Sequence, residues 1–258
     1  MAITDAELSL FLQQYLLPFF RISALLMTMP VIGTKIVSPR IRVVAGFLFT
    51  LMVVPVLPPL SVSPNLSLQT LLYVVQEILI GIALGFMFQV VFQVFVLAGQ
   101  IMAMKMGLGF AAMNDPTNGV QTTALSQFYL MMVTLMFIAV NGHLILVEML
   151  ISSFQSLPPG GFEFTREMSM KVAGLGTWLF ASALLFSLPV VTSLLIINIA
   201  FGVMSRAAPQ LNIFAVGFPF TLVCGMVLVG LGLTSFSASF ESVMSDGFTM
   251  FKDLAGFK

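Results

Sequence analysis

Residues 77–105 read EILIGIALGFMFQVVFQVFVLAGQIMAMK, and no charged side chain stands between Glu77 and Lys105. The uncharged interval, residues 78–104, is 27 positions long, more than the ~20 apolar residues a helix needs to cross a bilayer. The stretch predicts a membrane helix with an unusual face. Gly81, Gly85, Gln89 and Gln93 recur every four residues and Gln100 follows seven later. At ~100° per residue the three glutamines fall within about 40° of one another, and the glycines continue the stripe with a slow drift. Glycines let a second helix approach closely, and amides away from water need partners. The face therefore reads either as a packed interface inside a helix bundle or as the lining of a polar conduit or a subunit contact.

The same pattern extends along the chain. Uncharged runs of 34 residues separate Arg42 from Glu77, Lys171 from Arg206, and Arg206 from Glu241, and one of 32 separates Asp115 from Glu148, interrupted only by His143. With the apolar stretch 8–34 around Arg21, this gives about six hydrophobic segments. Of the 258 residues 59% are hydrophobic and 8% charged, where a soluble domain carries about 25% charge. The reading is an all-α integral membrane protein of long, kinked helices and helical hairpins. It forms one domain over residues 1–258, with subregions 1–170 and 171–258. A run of 34 helical residues reaches ~51 Å, against ~30 Å of hydrocarbon, so segments must tilt, break or extend beyond the bilayer. Pro55, Pro58, Pro59, Pro64, Pro189 and Pro219 are available breakers. The two runs about Arg206 read as a long hairpin, turning near Ala207-Ala208-Pro209-Gln210.

The acidic N-terminus, with Asp5 and Glu7, lacks the basic start and cleavage site of a secretory signal. Lys35, Arg40 and Arg42 place the loop 31–42 in the cytoplasm. Zero net charge gives no support to nucleic-acid binding. The single Cys224 excludes an intramolecular disulfide and a cysteine metal cluster. One His143, no HExxH, no Walker A and no nucleophile set argue against catalysis, and no cofactor is implied. Asn141-Gly142-His143 reads as a kinked, packed turn.

Two further features carry functional weight. Met102, Met104 and Met106-Gly107-Leu108-Gly109-Phe110 run on to Met113-Asn114-Asp115-Pro116. Gly-x-Gly followed by Asn-Asp-Pro is a loop, yet an apolar one, tolerated at membrane depth only when buried in protein or lining a cavity. Methionine fills irregular gaps, so Met106, Gly107, Leu108, Gly109, Phe110, Met113, Asp115 and Pro116 are a candidate gate or plug. The second feature is Arg21. At the centre of an apolar segment it either pairs with an acid, with Glu77, Glu148 or an acid of another chain as the candidates, or lies outside the lipid core.

At these residues the sequence resembles the FliR family of flagellar export proteins. Arg21-Ile22-Ser23-Ala24, Met29-Pro30-Val31-Ile32-Gly33 and Pro39-Arg40-Ile41-Arg42 match its opening. Ala98-Gly99-Gln100 through Asp115-Pro116 match its centre. Asn141-Gly142-His143, Ser153-Phe154 and Leu157-Pro158 follow in order. Arg206-Ala207-Ala208-Pro209-Gln210-Leu211-Asn212-Ile213-Phe214 and Gly217-Phe218-Pro219 complete a match over nearly the whole chain. Lys105 departs from the pattern, which has an uncharged polar residue there. The resemblance implies a non-enzymatic subunit of the type III export gate. It would sit in the bacterial inner membrane at the flagellar basal body and pass unfolded flagellar proteins outward. It implies FliP and FliQ as partners, with FlhB and FlhA nearby. The N-terminal part would be FliP-like and the C-terminal hairpin FliQ-like, with Arg206, Pro209, Gln210 and Asn212 at its turn. A loop at roughly 106–120 would plug the closed pore. A virulence-type export gate is the nearest alternative and a secondary transporter a more distant one. The latter class shows inverted repeats, which are not evident in this chain.

Overall fold

Long runs without charges or turn formers leave the backbone one way to satisfy its polar groups away from water, hydrogen bonding within the segment. A computed structural model describes residues 5–30, 33, 37–57, 68–109, 123–160, 166–207 and 213–255. The described segments are helical almost throughout. In chain order they form α1 (Asp5–Thr28), α2 (Pro39–Val53), α3 (Leu68–Lys105), α4 (Ala124–Ala139), α5 (Gly142–Ser156), α6 (Arg166–Ala207), α7 (Ile213–Gly232) and α8 (Phe236–Ala255), with short 3-10 turns at Val54–Val56 and Leu233–Ser235.

Among the described residues four helical stretches are long and apolar enough to cross a membrane: Pro39–Val56, Leu68–Lys105, Arg166–Ala207 and Val216–Asp253. Counting α4 and α5 as one bent span makes five. The six hydrophobic segments of the sequence thus yield four or five such stretches, and α1 is not among them. It carries Gln13 and Arg21, and both are buried within the protein. Helices α3 and α6 are as long as the charge spacing implies. At ~1.5 Å per residue, the 38 residues of α3 and the 42 of α6 run to about 57 and 63 Å.

The prolines act unequally. Pro55 lies in the 3-10 turn that ends α2. Pro58, Pro59 and Pro64 lie outside the described residues. Pro189 and Pro219 do not break their helices, contrary to their reading as breakers; α6 and α7 run through them. One lost N–H removes a single rung, the bond that Leu185 O would accept from residue 189, and the rungs on either side continue the helix. Asn141, between α4 and α5, adopts the left-handed conformation with φ +56°. A Cβ on Gly142 would strike the Phe137 ring, so the kinked, packed turn requires glycine there.

By packing the chain divides into two units. The first comprises Met1–Val90, Phe137–Leu175 and Asp246–Lys258, the second Val91–Met136 and Gly176–Ser245. In the first, Leu17, Ile22, Ile80, Leu84 and Phe154 are buried. Phe19 meets Phe47 across α1 and α2, and Phe88 of α3 meets Phe251 of α8 at 5.8 Å. The second is built on aromatic rings. Phe95 contacts Phe186, Phe236 and Phe240 at centroid distances of 5.4, 5.5 and 6.1 Å, and Tyr129 sits 5.5 Å from Phe186. Edge-on pairs of this kind add ~0.5–1.5 kcal/mol each beyond area burial.

Candidate functional site

The end of α3 is where the candidate gate segment begins, and its geometry follows from Gly107. Leu108 N–H donates to Ala103 O at 2.9 Å and Gly107 N–H to Met104 O at 3.2 Å, with Gly107 at φ +84°. This pair of bonds is the Schellman arrangement, which satisfies the last carbonyls of a helix by placing a left-handed residue just past its end. Two contacts fix the stop in place. A Cβ on Gly107 would lie 2.6 Å from the Phe218 ring of α7, and one on Gly225 of α7 would run into the Met106 side chain. Met106 is accordingly buried, whereas Met104 is exposed. Met106 and Gly107 therefore anchor the segment on α7. Leu108 and Gly109 follow as the last described residues, and Phe110, Met113, Asp115 and Pro116 lie outside them. Gly225 had no mark in the sequence beyond being one more glycine in an apolar run. Its partner spacing, 119 positions from Met106, leaves no periodic signal.

The glycine–amide stripe of α3 divides. Gly81 abuts the carbonyl of Arg21 and the methyl of Ala24, and Gly85 the hydroxyl of Thr28, so α1 packs directly on these glycines within the same chain. Drifting about 40° per four residues, the stripe then leaves that contact. Gln89 and Gln93 are exposed and Gln100 is half-buried.

Arg21 is the most completely engaged polar group. It is fully buried, and all five of its N–H donors are used. Nε and Nη2 grip Glu77 in a fork at 2.7 and 2.9 Å. Nη1 donates to Ser153 O at 2.9 Å and Ser153 Oγ at 3.2 Å, and Nη2 also donates to Leu157 O at 2.7 Å. The Phe154 ring covers the guanidinium at 4.1 Å. Glu77 is buried as well. One residue thereby ties α1, α3 and the C-terminal end of α5, where a cation also suits the exposed carbonyls of the helix dipole. Glu148, the other acid considered, is exposed and lines a cavity of about 250 Å³ with Lys252 and Phe248. Ser153 and Leu157 were not foreseen as guanidinium acceptors; main-chain acceptors leave no trace in a sequence.

Of the hairpin-turn residues, Arg206 is exposed at the end of α6; Pro209, Gln210 and Asn212 lie outside the described residues. The two arms meet beside that turn, where Phe201 stacks edge-on with Phe220 at 5.3 Å. Among the described residues no three His, Cys, Asp or Glu side chains gather as a metal site.

Comparison with known proteins adds the remaining observations. Residues 12–247 match the model of a family described as bacterial export proteins, family 1. The chain is similar to the flagellar biosynthetic protein FliR of Pectobacterium carotovorum subsp. carotovorum, 36% identical with 93% of this chain and 92% of that one covered. It is also similar to FliR of Escherichia coli K12, 34% identical over 98% and 96%, and to FliR of Aquifex aeolicus, 28% identical over 94% and 93%.

Proposed function

The chain belongs to the bacterial export proteins of family 1, and from that premise we propose that it is a non-enzymatic subunit of the flagellar protein export gate. In this reading it resides in the bacterial inner membrane at the flagellar basal body and forms part of the channel for unfolded flagellar proteins. It assembles there with FliP and FliQ, close to FlhA and FlhB. Residues 1–170 take the FliP-like role and 171–258 the FliQ-like one. The segment from Met106 through Pro116 seals the pore, and Gln89, Gln93 and Gln100 face the conduit or a neighbouring subunit.

The observation that carries this reading is the mismatch between helix length and cover. The most apolar window of α6 is only 22% buried. The helix is about twice as long as ~30 Å of hydrocarbon. Phe180, Leu184, Leu185, Ile196, Ile199 and Val203 stand exposed along it. Lipid covers half such a helix, and neighbouring subunits cover the rest. The relatives named above are flagellar, which favours the flagellar system over its virulence counterpart. The anchoring of Met106 and Gly107 on α7 suits a seal hinged at its base.

Two measurements test the proposal. Tagged chain extracted in mild detergent is expected to bring down small multi-helix membrane proteins identifiable by mass spectrometry; recovery of the chain alone would refute the assembly. Deleting residues 107–118 in the assembled complex is expected to raise ion leak, and an unchanged leak would refute the seal.

A further inference from the structure

A groove of about 470 Å³ lies within the second unit, between the end of α3, α4 and α7. Met106, Leu108, Phe128, Leu222, Met226 and Gly230 are among its walls, and among the described residues every one that lines it is apolar or glycine. Water filling it would find almost no partner, and a buried water needs two to four. A polar ligand would lose its hydration for nothing. An apolar chain meets neither cost. At roughly 30 Å³ for a group the size of a water molecule, the groove accommodates about fifteen methylenes, the length of one fatty acyl chain.

Charge settles which acyl chain. Lys105 is the last residue of α3 and the only basic residue in that helix. It is exposed, directly precedes Met106 in the wall, and makes no ion pair among the described residues. An apolar groove that begins one residue beyond an ammonium with no ion pair among the described residues matches a ligand with an anionic head and one long apolar tail. We propose that the groove holds one acyl chain of an anionic phospholipid, with its headgroup phosphate against Lys105. The site is independent of the export reading and stands or falls on its own.

The test uses the full-length chain in mild detergent micelles. Trp178 is replaced by Phe, and Phe128→Trp places the one tryptophan, excited selectively over the three tyrosines, in the groove. The probes are phosphatidylglycerol and phosphatidylcholine brominated on one acyl chain. Half-maximal quenching is expected at a mole fraction about fivefold lower for the anionic lipid, the factor that one lysine near a lipid surface contributes. Lys105→Gln is expected to abolish that preference while quenching persists. Gly230→Leu, at a position where a new Cβ meets nothing within 4 Å, is expected to fill the groove and remove quenching by both lipids; circular dichroism confirms that helix content is kept. Equal quenching by the two lipids in the parent protein would overturn the anionic assignment. Absence of quenching would overturn the site altogether and show that residues of the protein itself close the groove.

Discussion

Glu77→Ala strips Arg21 of the two contacts that neutralise it, at 2.7 and 2.9 Å, and leaves a guanidinium without a counter-ion at a fully buried position. Removing one member of a buried pair costs about 3–5 kcal/mol, because the remaining charge keeps its desolvation penalty and loses its compensation. The carbonyls of Ser153 and Leu157 and the Phe154 ring continue to hold the cation, which puts the expectation near the lower bound, about 3 kcal/mol. The double variant Arg21→Met/Glu77→Leu removes both charges and fills the space with carbon. Its residual cost is that of an unsatisfied Leu157 carbonyl, about 1–3 kcal/mol, since Ser153 O still accepts the Leu157 N–H at 2.9 Å. The double variant should therefore be more stable than the single one. The assay is denaturant titration of the full chain in mild detergent micelles, followed by circular dichroism at constant protein concentration. Arg21→Lys should also fall well below the parent, because three donors cannot serve five contacts spread over two helices. A double variant as unstable as Glu77→Ala would refute the reasoning, since the penalty would then come from lost packing and not from an unpaired charge.

Gly107→Ala meets a positive φ and the Phe218 ring together, so a loss of about 1–2 kcal/mol is expected from the left-handed backbone alone. Pairing it with Phe218→Ala should remove the steric share but not the backbone share, which separates the two in the same titration. Gly85→Val drives a branched side chain into Thr28 and is expected to cost about 1–3 kcal/mol, as overpacking does; Thr28→Ala should recover part of it. Gln89→Leu/Gln93→Leu touches nothing buried in the chain, so stability should change by less than about 0.5 kcal/mol. Under the proposed export reading, recovery of partner subunits in a pull-down should nonetheless drop.

The class of fold was legible because charge spacing is a one-dimensional signal. A run between charges longer than a bilayer crossing favours helix, and α3 and α6 bear that out in their lengths. The end of α3 was legible for the same reason, since Gly-x-Gly carries its consequence locally. Tertiary partners were not. The choice between Glu77 and Glu148 for Arg21 depends on how α1 meets α3 and α5, 56 and about 130 residues away, and both acids sit in apolar surroundings in the sequence. The stripe Gly81–Gln100 reads as one drifting face with glycines at one end and amides at the other, and the fold packs the glycine end on α1 and leaves Gln89 and Gln93 exposed. A helical wheel reports which residues share a side; it does not report where along the helix the neighbour stops. Pro189 misled for the opposite reason. A local rule for helix ends overstates what one missing hydrogen bond can do inside a largely apolar helix of 42 residues.

The glycines of α6 give the export reading its sharpest stability test. A Cβ at Gly174, Gly176 or Gly202 meets nothing within 4 Å, so no contact among the described residues requires glycine there. Each nonetheless costs the helix about 0.5–1 kcal/mol relative to alanine. In an exposed helix of a self-sufficient protein that cost has no return. In a helix laid against another subunit it has one, because small residues let two backbones approach closely enough for extensive van der Waals contact. The triple change to alanine should thus act oppositely on the two states. The isolated chain should gain about 1.5–3 kcal/mol, the sum of three such terms, read by denaturant titration in detergent. The assembled complex should lose partners, read as the fraction of small membrane subunits that remain with the tagged chain. A stabilised chain that keeps all its partners would show that these faces look onto lipid, and the cover for α6 would then have to be sought elsewhere along its length.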